Sequence, residues 1–332
     1  MASVPPLPVS DHCNGWRFVN PPGWRQARGF SDLPKWWAQR LFLGQGARWP
    51  WSASAPAKPE LPAAVPADQV AVTLVGHSTF LLQLSGLNIL TDPIFSPCAG
   101  PFFWAGPRRV RPPALRLGQL PRIDLVLVSH NHYDHLDLPT LRWLARERRP
   151  LILTTLGNKA WLESRGVGNV VELDWWQANQ ARPELEVVCT PAQHFAARWP
   201  WDRCQTLWGG FALKTATGRI YFTGDSGYCG CFQEIGARLG PFALALIPIG
   251  SYEPRWFMEA VHCTPAEAVR IHRDLRARQS LAMHFGCFPL ADDGLDQPIN
   301  DLLVARQAAN LGETDFAVPA TGRTMLYRLV SV

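Results

Sequence analysis

Ile123-Asp-Leu-Val-Leu-Val-Ser-His-Asn-His-Tyr-Asp-His-Leu-Asp137 decides how the rest of the chain is read. Its first half, Ile123 to Val128, is a short apolar run of the kind that forms a strand buried on both faces. Its second half brings His130, His132, Asp134 and His135 together within six residues. Two histidines one residue apart face the same way from an extended segment. A tight turn behind them can aim Asp134 and His135 at a second position close by. Imidazole nitrogens and carboxylate oxygens form a donor set suited to zinc, and less selectively to iron or manganese. A solvated patch of histidines would not follow directly on a buried strand, so the cluster points to metal chemistry. Asp137 then stands as the N-cap of a helix carrying Leu138, Leu141 and Leu144 at helical spacing.

Outward from this stretch the chain alternates strands and helices, which makes it an α/β protein. Val70 to Val75, Thr79 to Leu84 and Leu87 to Leu90 read as strands on the N-terminal side. Beyond the motif, strands are expected over Leu185 to Cys189, Thr206 to Lys214, Arg219 to Thr223, Leu244 to Ile249 and Ser280 to Met283. Thr264 to Arg278 is the clearest helix: Thr264 caps it, Pro265 sits at its first position and Glu267 completes a capping box. Three more donors follow strands of this set. His194 comes after Leu185 to Cys189, Asp225 after Arg219 to Thr223, and His284 after Ser280 to Met283. Open α/β sheets gather their ligands just past the carboxyl ends of strands, so these three are the expected completion of the metal shell.

The 332 residues are 47% hydrophobic and 18% charged, a composition that builds a core without disulfides or a structural metal. The net charge of +5 is mild and scattered. It suits an anionic substrate or surface and supplies no basic block for nucleic acid. No secretory signal pattern opens the chain, and no apolar run reaches membrane-spanning length; Phe242 to Ile247 reads as a buried strand. Eight cysteines lack framework spacing, Cys229 and Cys231 being the close pair, and read as free thiols of a cytoplasmic protein. Residues 1–66 differ from the catalytic segment 67–332. They are rich in Pro and Trp, with Trp16, Trp24, Trp36, Trp37, Trp49 and Trp51 interleaved with Arg and Lys. Two readings stay open for this extension. It wraps the domain and buries its tryptophans, or it contacts the inner face of a membrane, where Trp favours the headgroup level and basic residues meet anionic lipid.

The order His-x-His-x-Asp-His, a later His, a Gly-Asp and a last His is similar to the ligand series of metallo-β-lactamase-fold hydrolases. The flanking text resembles, more narrowly, the N-acylphosphatidylethanolamine-hydrolysing phospholipases D. It does so in Val75-Gly-His-Ser-Thr79, Thr91-Asp-Pro-Ile-Phe95, Ser129 to Asp137, Glu172-Leu-Asp-Trp-Trp176, Gly224-Asp-Ser-Gly-Tyr228, Ile247 to Met258 and Ala268-Val-Arg-Ile-His272. The resemblance implies an αββα sandwich with two Zn2+ ions. One would be held by His130, His132 and His194, the other by Asp134, His135 and His284, with Asp225 as the bridge. It further implies hydrolysis of N-acylphosphatidylethanolamine, or a related phospholipid, to phosphatidic acid and an N-acylethanolamine. The attacking hydroxide would be shared by metals roughly 3.5–4 Å apart. Asp134 and Asp225 are then the expected catalytic carboxylates, and Tyr133, His262 and Arg198 the expected substrate contacts. His77 and Asp92, near strand ends, are expected to support the ligands from behind. A homodimer is compatible with the resemblance. Spacing leaves Arg255 unplaced and makes His272, mid-helix, a structural residue.

The chain also departs from the family text. Ala197-Arg198 stands where mammalian members carry Lys-Arg, Leu138 replaces a Tyr, and Val261 replaces a polar residue. These positions bear on headgroup and acyl recognition, not on the metals. Two alternatives therefore stand beside the lipid reading: a hydrolase of the same fold acting on a soluble lactone, amide or cyclic phosphate, and a non-enzymatic lipid-binding protein.

Overall fold

The computed structural model describes residues 9–102 and 104–329. One group of strands comprises β1 (Gln69–Gly76), β2 (Thr79–Leu84), β3 (Leu87–Thr91), β4 (Leu125–Val128), β5 (Leu151–Thr155) and β6 (Val170–Leu173). A second comprises β7 (Ala178–Arg182), β8 (Leu185–Thr190), β9 (Gly210–Lys214), β10 (Arg219–Phe222), β11 (Phe242–Pro248), β12 (Ala277–Met283) and β13 (Phe316–Ala317). The last strand, β14 (Thr324–Arg328), returns to the first group and pairs with β1. Among the described residues this gives two seven-stranded sheets, ordered β14-β1-β2-β3-β4-β5-β6 and β13-β12-β11-β10-β9-β8-β7. Each sheet is antiparallel on one side and parallel on the other.

Strand direction follows from these pairings. β1 and β3 both run antiparallel to β2, and β4 runs parallel to β3, so β1, β3 and β4 end on the same side. By the same reasoning β8, β10, β11 and β12 share a direction. The residues that leave these strand ends are the ones the sequence singles out.

Side-chain alternation divides the core into layers. Leu125 and Leu127 of β4 join a cluster that also holds Leu213, Phe222 and Leu246 of the second sheet. Val126 and Val128 face the other way, onto Leu141 and Leu144 of α2 (Leu138–Glu147) and Leu162 of α3 (Lys159–Glu163). A strand covered on both faces must be apolar at every position, which is why Leu125-Val-Leu-Val128 shows no polar alternation. On the outer side of the second sheet lie α4 (Cys231–Leu239) and, after the short α5 (Arg255–Met258), α6 (Pro265–Asp274), with α7 (Gln297–Ala308) packed against α6. Helix, sheet, sheet, helix is the expected αββα order.

Two boundaries differ from the sequence reading. The helix expected over Thr264 to Arg278 has its full capping box, but it stops at Asp274. Arg276 turns the chain with φ +51°, and Ala277 already pairs with Phe242 in the sheet. The strand expected from Thr206 begins at Gly210. Leu207 N and Gly209 N instead donate to Leu156 O and Ser129 O of the first sheet's loops. All eight cysteines are unpaired, as expected.

The N-terminal tryptophans divide between two environments. Trp36, in α1 (Leu33–Phe42), is buried and donates from Nε1 to Asp292 at 2.9 Å, and Trp49 Nε1 donates to Asp293 O at 2.8 Å. Trp16, Trp37 and Trp51 stand exposed. Among the described residues no helix is long and apolar enough to cross a membrane.

Candidate metal centre

Six strand ends converge on one point between the sheets. His77 follows β1, Asp92 follows β3 and His130 follows β4; His194 lies beyond β8, Asp225 beyond β10 and His284 directly after β12. His284 N donates to His77 O at 3.2 Å, which ties the two sheets together at the site. His77, Asp92 and His284 adopt left-handed backbone angles, with φ of +54°, +31° and +59°. For residues other than glycine this costs about 1 kcal/mol or more each, and such strain gathers where a side chain must be aimed at a site.

The donors form two groups. His130 Nε2 lies 2.8 Å from His132 Nδ1, and His194 Nε2 lies 3.3 Å from the same atom. Four donor atoms of His77, Asp134, His135 and His284 also lie within 4.8 Å of one another. Asp225 stands between the groups: its Oδ2 is 3.0 Å from His135 Nε2, 3.0 Å from His284 Nε2 and 3.9 Å from His194 Nε2. The structure therefore brings together all seven residues expected as ligands.

Supporting contacts aim these rings. Asp92 accepts from His135 Nδ1 at 2.5 Å and from Ser129 N and Oγ at 2.7 and 2.6 Å. His130 Nδ1 meets Ser129 Oγ at 2.9 Å, and His194 Nδ1 donates to Val261 O at 2.8 Å. In each case the rear nitrogen is occupied, so the front nitrogen is presented to the centre. Asp92 thus lies behind His135, joined to it and to Ser129. His77 goes further, since its Nε2 touches Asp134 Oδ2 at 3.1 Å within the donor group itself.

Electrostatics separate the two groups. Burial lowers His130, His132 and His194, and neighbouring imidazoles lower them further; His132 falls to about 3 and His194 to about 4. They are neutral imidazoles at neutral pH. Burial also lowers His284, but Asp225 and Asp134 outweigh it and raise the group to about 9. His135 is raised in the same way by Asp225, Asp134 and Asp92. Asp134 and Asp225 are held well below the ordinary carboxylate range, chiefly by His135, despite burial.

The donor set fits divalent cations. Asp225 Oδ1, His135 Nε2 and His262 Nδ1 are buried without a hydrogen-bond partner. An unsatisfied buried polar atom costs about 1–3 kcal/mol, so several at one point mark a centre that a cation would satisfy. His135 Nε2 has carboxylate oxygens at 3.0 and 3.3 Å yet makes no hydrogen bond of good geometry. That nitrogen holds its proton at the place where a cation would replace it.

The expected substrate contacts have different surroundings. His262 faces the centre, with Nδ1 3.9 Å from Asp225 Oδ2 and its ring centroid 5.1 Å from that of His284. Arg198 is turned to the motif itself. Its Nη1 donates to Asn131 O and Leu136 O at 2.9 and 2.8 Å, and its guanidinium lies 4.1 Å from the Tyr133 ring centroid. Arg198 thereby holds the loop that carries four donors, and Tyr133 has one ring face covered. The sequence reading missed Ser129, Phe195, which sits edge-on to His132 at 4.5 Å, and Asn20 of the arm, whose Nδ2 donates to His194 O at 3.1 Å. Ser129 adjoins the motif and was open to detection; the contact of Asn20 depends on how the arm lies.

Residues 87–285 match the family model of the beta-lactamase superfamily domain, and the chain belongs to that superfamily. It has the metallo-β-lactamase fold, and it is a metallo-hydrolase by fold and kinship. An uncharacterised protein of Mycobacterium tuberculosis is 42% identical over 82% of this chain and 74% of its own length. N-acyl-phosphatidylethanolamine-hydrolyzing phospholipase D 1 of Caenorhabditis elegans is 41% identical over 66% of this chain and 64% of its own length. The chain thus spans somewhat under two thirds of that relative. Among solved structures, a metallo hydrolase of the archaeon Ignicoccus hospitalis superposes with a TM-score of 0.60 at 20% identity, covering 78% of this chain and 99% of that one.

Proposed function

We propose that the protein is a dinuclear zinc phosphodiesterase of phospholipase D type, acting on N-acylphosphatidylethanolamine or a closely related phospholipid. The observation that carries this reading is Asp225 Oδ2, a single carboxylate oxygen placed between a three-histidine group and an Asp134–His135–His284 group. The similarity to the nematode phospholipase D supports a lipid as the substrate class. His130, His132 and His194 would hold one Zn2+, Asp134, His135 and His284 the other, and Asp225 both. Bound there, the ions supply Lewis acidity toward the phosphoryl oxygens and acidify water at neutral pH. The protein's own residues position and shield. Asp92, Ser129 and the Val261 carbonyl fix the imidazoles, Arg198 fixes the motif loop, and His262 presents an unpartnered Nδ1 to the substrate side. Phosphodiester hydrolysis would yield phosphatidic acid and the N-acylethanolamine.

Exposed aromatic residues support an interfacial substrate. Phe102 and Trp104 stack at 5.3 Å in the loop after Asp92, and Trp199 and Trp201 stack at 5.1 Å in the loop after His194. Both pairs are exposed, on loops that also buttress the metal ligands. Paired aromatics there suit the headgroup region of a bilayer. The zinc-loaded protein should be assayed against N-acylphosphatidylethanolamine dispersions and a soluble lactone side by side. Phospholipid turnover that disappears with chelation is the expected result. Lactone turnover without phospholipid turnover would sink the reading.

A further inference from the structure

A cleft lies beside the segment that follows His284, at Pro289. Its volume is ≈ 570 Å³, and its walls include Arg40, Arg48, Arg108, Trp49, Trp51 and Pro289. The wall shared with the metal centre is short. Val110 N donates to Cys287 O at 2.9 Å, and Phe288, next to Pro289, lies edge-on to His77 with ring centroids 5.3 Å apart.

Three guanidinium groups gather here around little negative charge. Arg40 pairs with Asp292 at 3.3 Å, and Asp292 also accepts from Trp36. Arg108 lies over the Trp51 ring at 5.2 Å. Among the described residues, neither Arg48 nor Arg108 forms an ion pair with a carboxylate. The turn at Gly46 closes tightly over the Arg40–Asp292 pair: φ is +94°, and a Cβ would stand 2.9 Å from Asp292 Oδ1. Asp292 thus holds Arg40 in place at the edge of the cleft. Arg40 also lines a neighbouring apolar cleft with Pro34, Trp37, Leu41 and Phe42, where the last three side chains stand exposed. Planar guanidinium groups recognise phosphate oxygens, and Trp beside them suits the apolar side of a headgroup.

We propose that this cleft binds the phosphate group of an anionic phospholipid in a bilayer surface, a site separate from the metal centre and sharing one wall with it. Arg48 and Arg108 meet the phosphate, while Trp51 and the exposed side of α1 lie in the headgroup layer. Three arginines are too few to grip a nucleic acid, and the adjoining apolar surface has no use there. The side-by-side placement of this cleft and a lipid-cleaving centre rests on the proposed function; the binding itself does not.

The test is co-sedimentation of the full zinc-loaded chain with phosphatidylcholine vesicles, with and without phosphatidylglycerol, none containing N-acylated lipid. Binding to the anionic vesicles is expected to exceed binding to the neutral ones and to fall as salt is raised. Each of Arg48→Gln and Arg108→Gln should weaken it about fivefold, the equivalent of ~1 kcal/mol per basic residue near the surface. Both variants should hydrolyse a water-soluble substrate as the wild type does. Equal binding to both kinds of vesicle, or full binding by the double variant, overturns the proposal. If inorganic phosphate raises the thermal midpoint of the wild type but not of the double variant, while vesicle binding is the same in both, the ligand is a free anion and the lipid assignment fails. A protein that binds anionic vesicles through these arginines yet leaves N-acylphosphatidylethanolamine intact would sink the proposed function alone.

Discussion

His130, His132 and His194 meet with no carboxylate among them, whereas His135 and His284 share both Asp134 and Asp225. The chemistry of the two groups differs accordingly. In the first, burial and mutual repulsion outweigh the pull of the nearby carboxylates, so three neutral imidazoles converge. In the second, burial is outweighed by carboxylates, and protons sit on His135 and His284 where a cation would replace them. One group would favour a cation by donor geometry, the other by charge. Asp225 belongs to both and is the residue through which they are coupled.

Removing that coupling should have the largest effect. Asp225→Asn keeps the side-chain shape but removes the shared charge. Turnover should fall by more than about 100-fold, since even supporting residues of metal sites cost 10–100-fold. Metal content should drop at both positions while the circular dichroism spectrum stays native. Loss at only one position would show that the two groups are independent. Asp92→Asn probes the second group from behind, because Asp92 reaches the centre only through His135 and Ser129. A decrease of about 10–100-fold in metal affinity is expected, and added zinc should restore most of the turnover. A variant that no zinc concentration rescues would argue for a role beyond aiming His135.

Proton release sharpens the same contrast. Below about pH 9 the raised His284 carries a proton that an incoming cation must displace. His132 and His194, titrating at about 3 and about 4, have none to release at neutral pH. Affinity should therefore weaken with falling pH more steeply at the second position. Calorimetry in two buffers of different ionisation enthalpy should find the proton count concentrated in one of two binding events. An even split would break the distinction between the two groups.

The smallest expected effect lies in the arm. His12 Nε2 lies 2.8 Å from Asp174 Oδ1, and its ring stacks on Trp175 at 4.3 Å. Burial lowers this histidine, but Asp174 and Asp11 outweigh it and leave the pKa raised. A folded-state pKa above the unfolded value of about 6.5 stabilises fully below that value and loses its contribution as pH rises through the folded pKa. The stability difference between the wild type and His12→Asn should accordingly be larger near pH 6 than near pH 9, by about 1 kcal/mol or less. A difference that does not change with pH would mean that the ring stack alone docks the segment.

The strands legible in the sequence were those with strong apolar content. Thr79 to Leu84 forms β2 over the same residues, and the run ending at Val128 delivers His130 as expected. Edge strands were not legible. Ala178–Arg182 is largely polar, and Thr324–Arg328 exposes Met325 and Leu326, so neither carries the alternation that marks a half-buried strand. The ends of elements were read less well where tertiary contacts set them, as at Arg276 and at Leu207 to Gly209.

What the sequence determined by itself was the donor chemistry. Residue types and short spacings are local properties, and strand ends in an α/β sheet have a common side, so His130 to His135, His194, Asp225 and His284 could be gathered without coordinates. What only the tertiary structure decided was how each donor is aimed and what else the surrounding residues do. Asp92 holds His135, Val261 holds His194, and Arg198 is drawn from the substrate to the motif loop. The arginine cleft behind Pro289 draws on residues 40, 48 and 108 and becomes a single feature only when the arm is laid on the sandwich. These contacts join segments far apart in the chain, and nothing in local spacing encodes the distance between them.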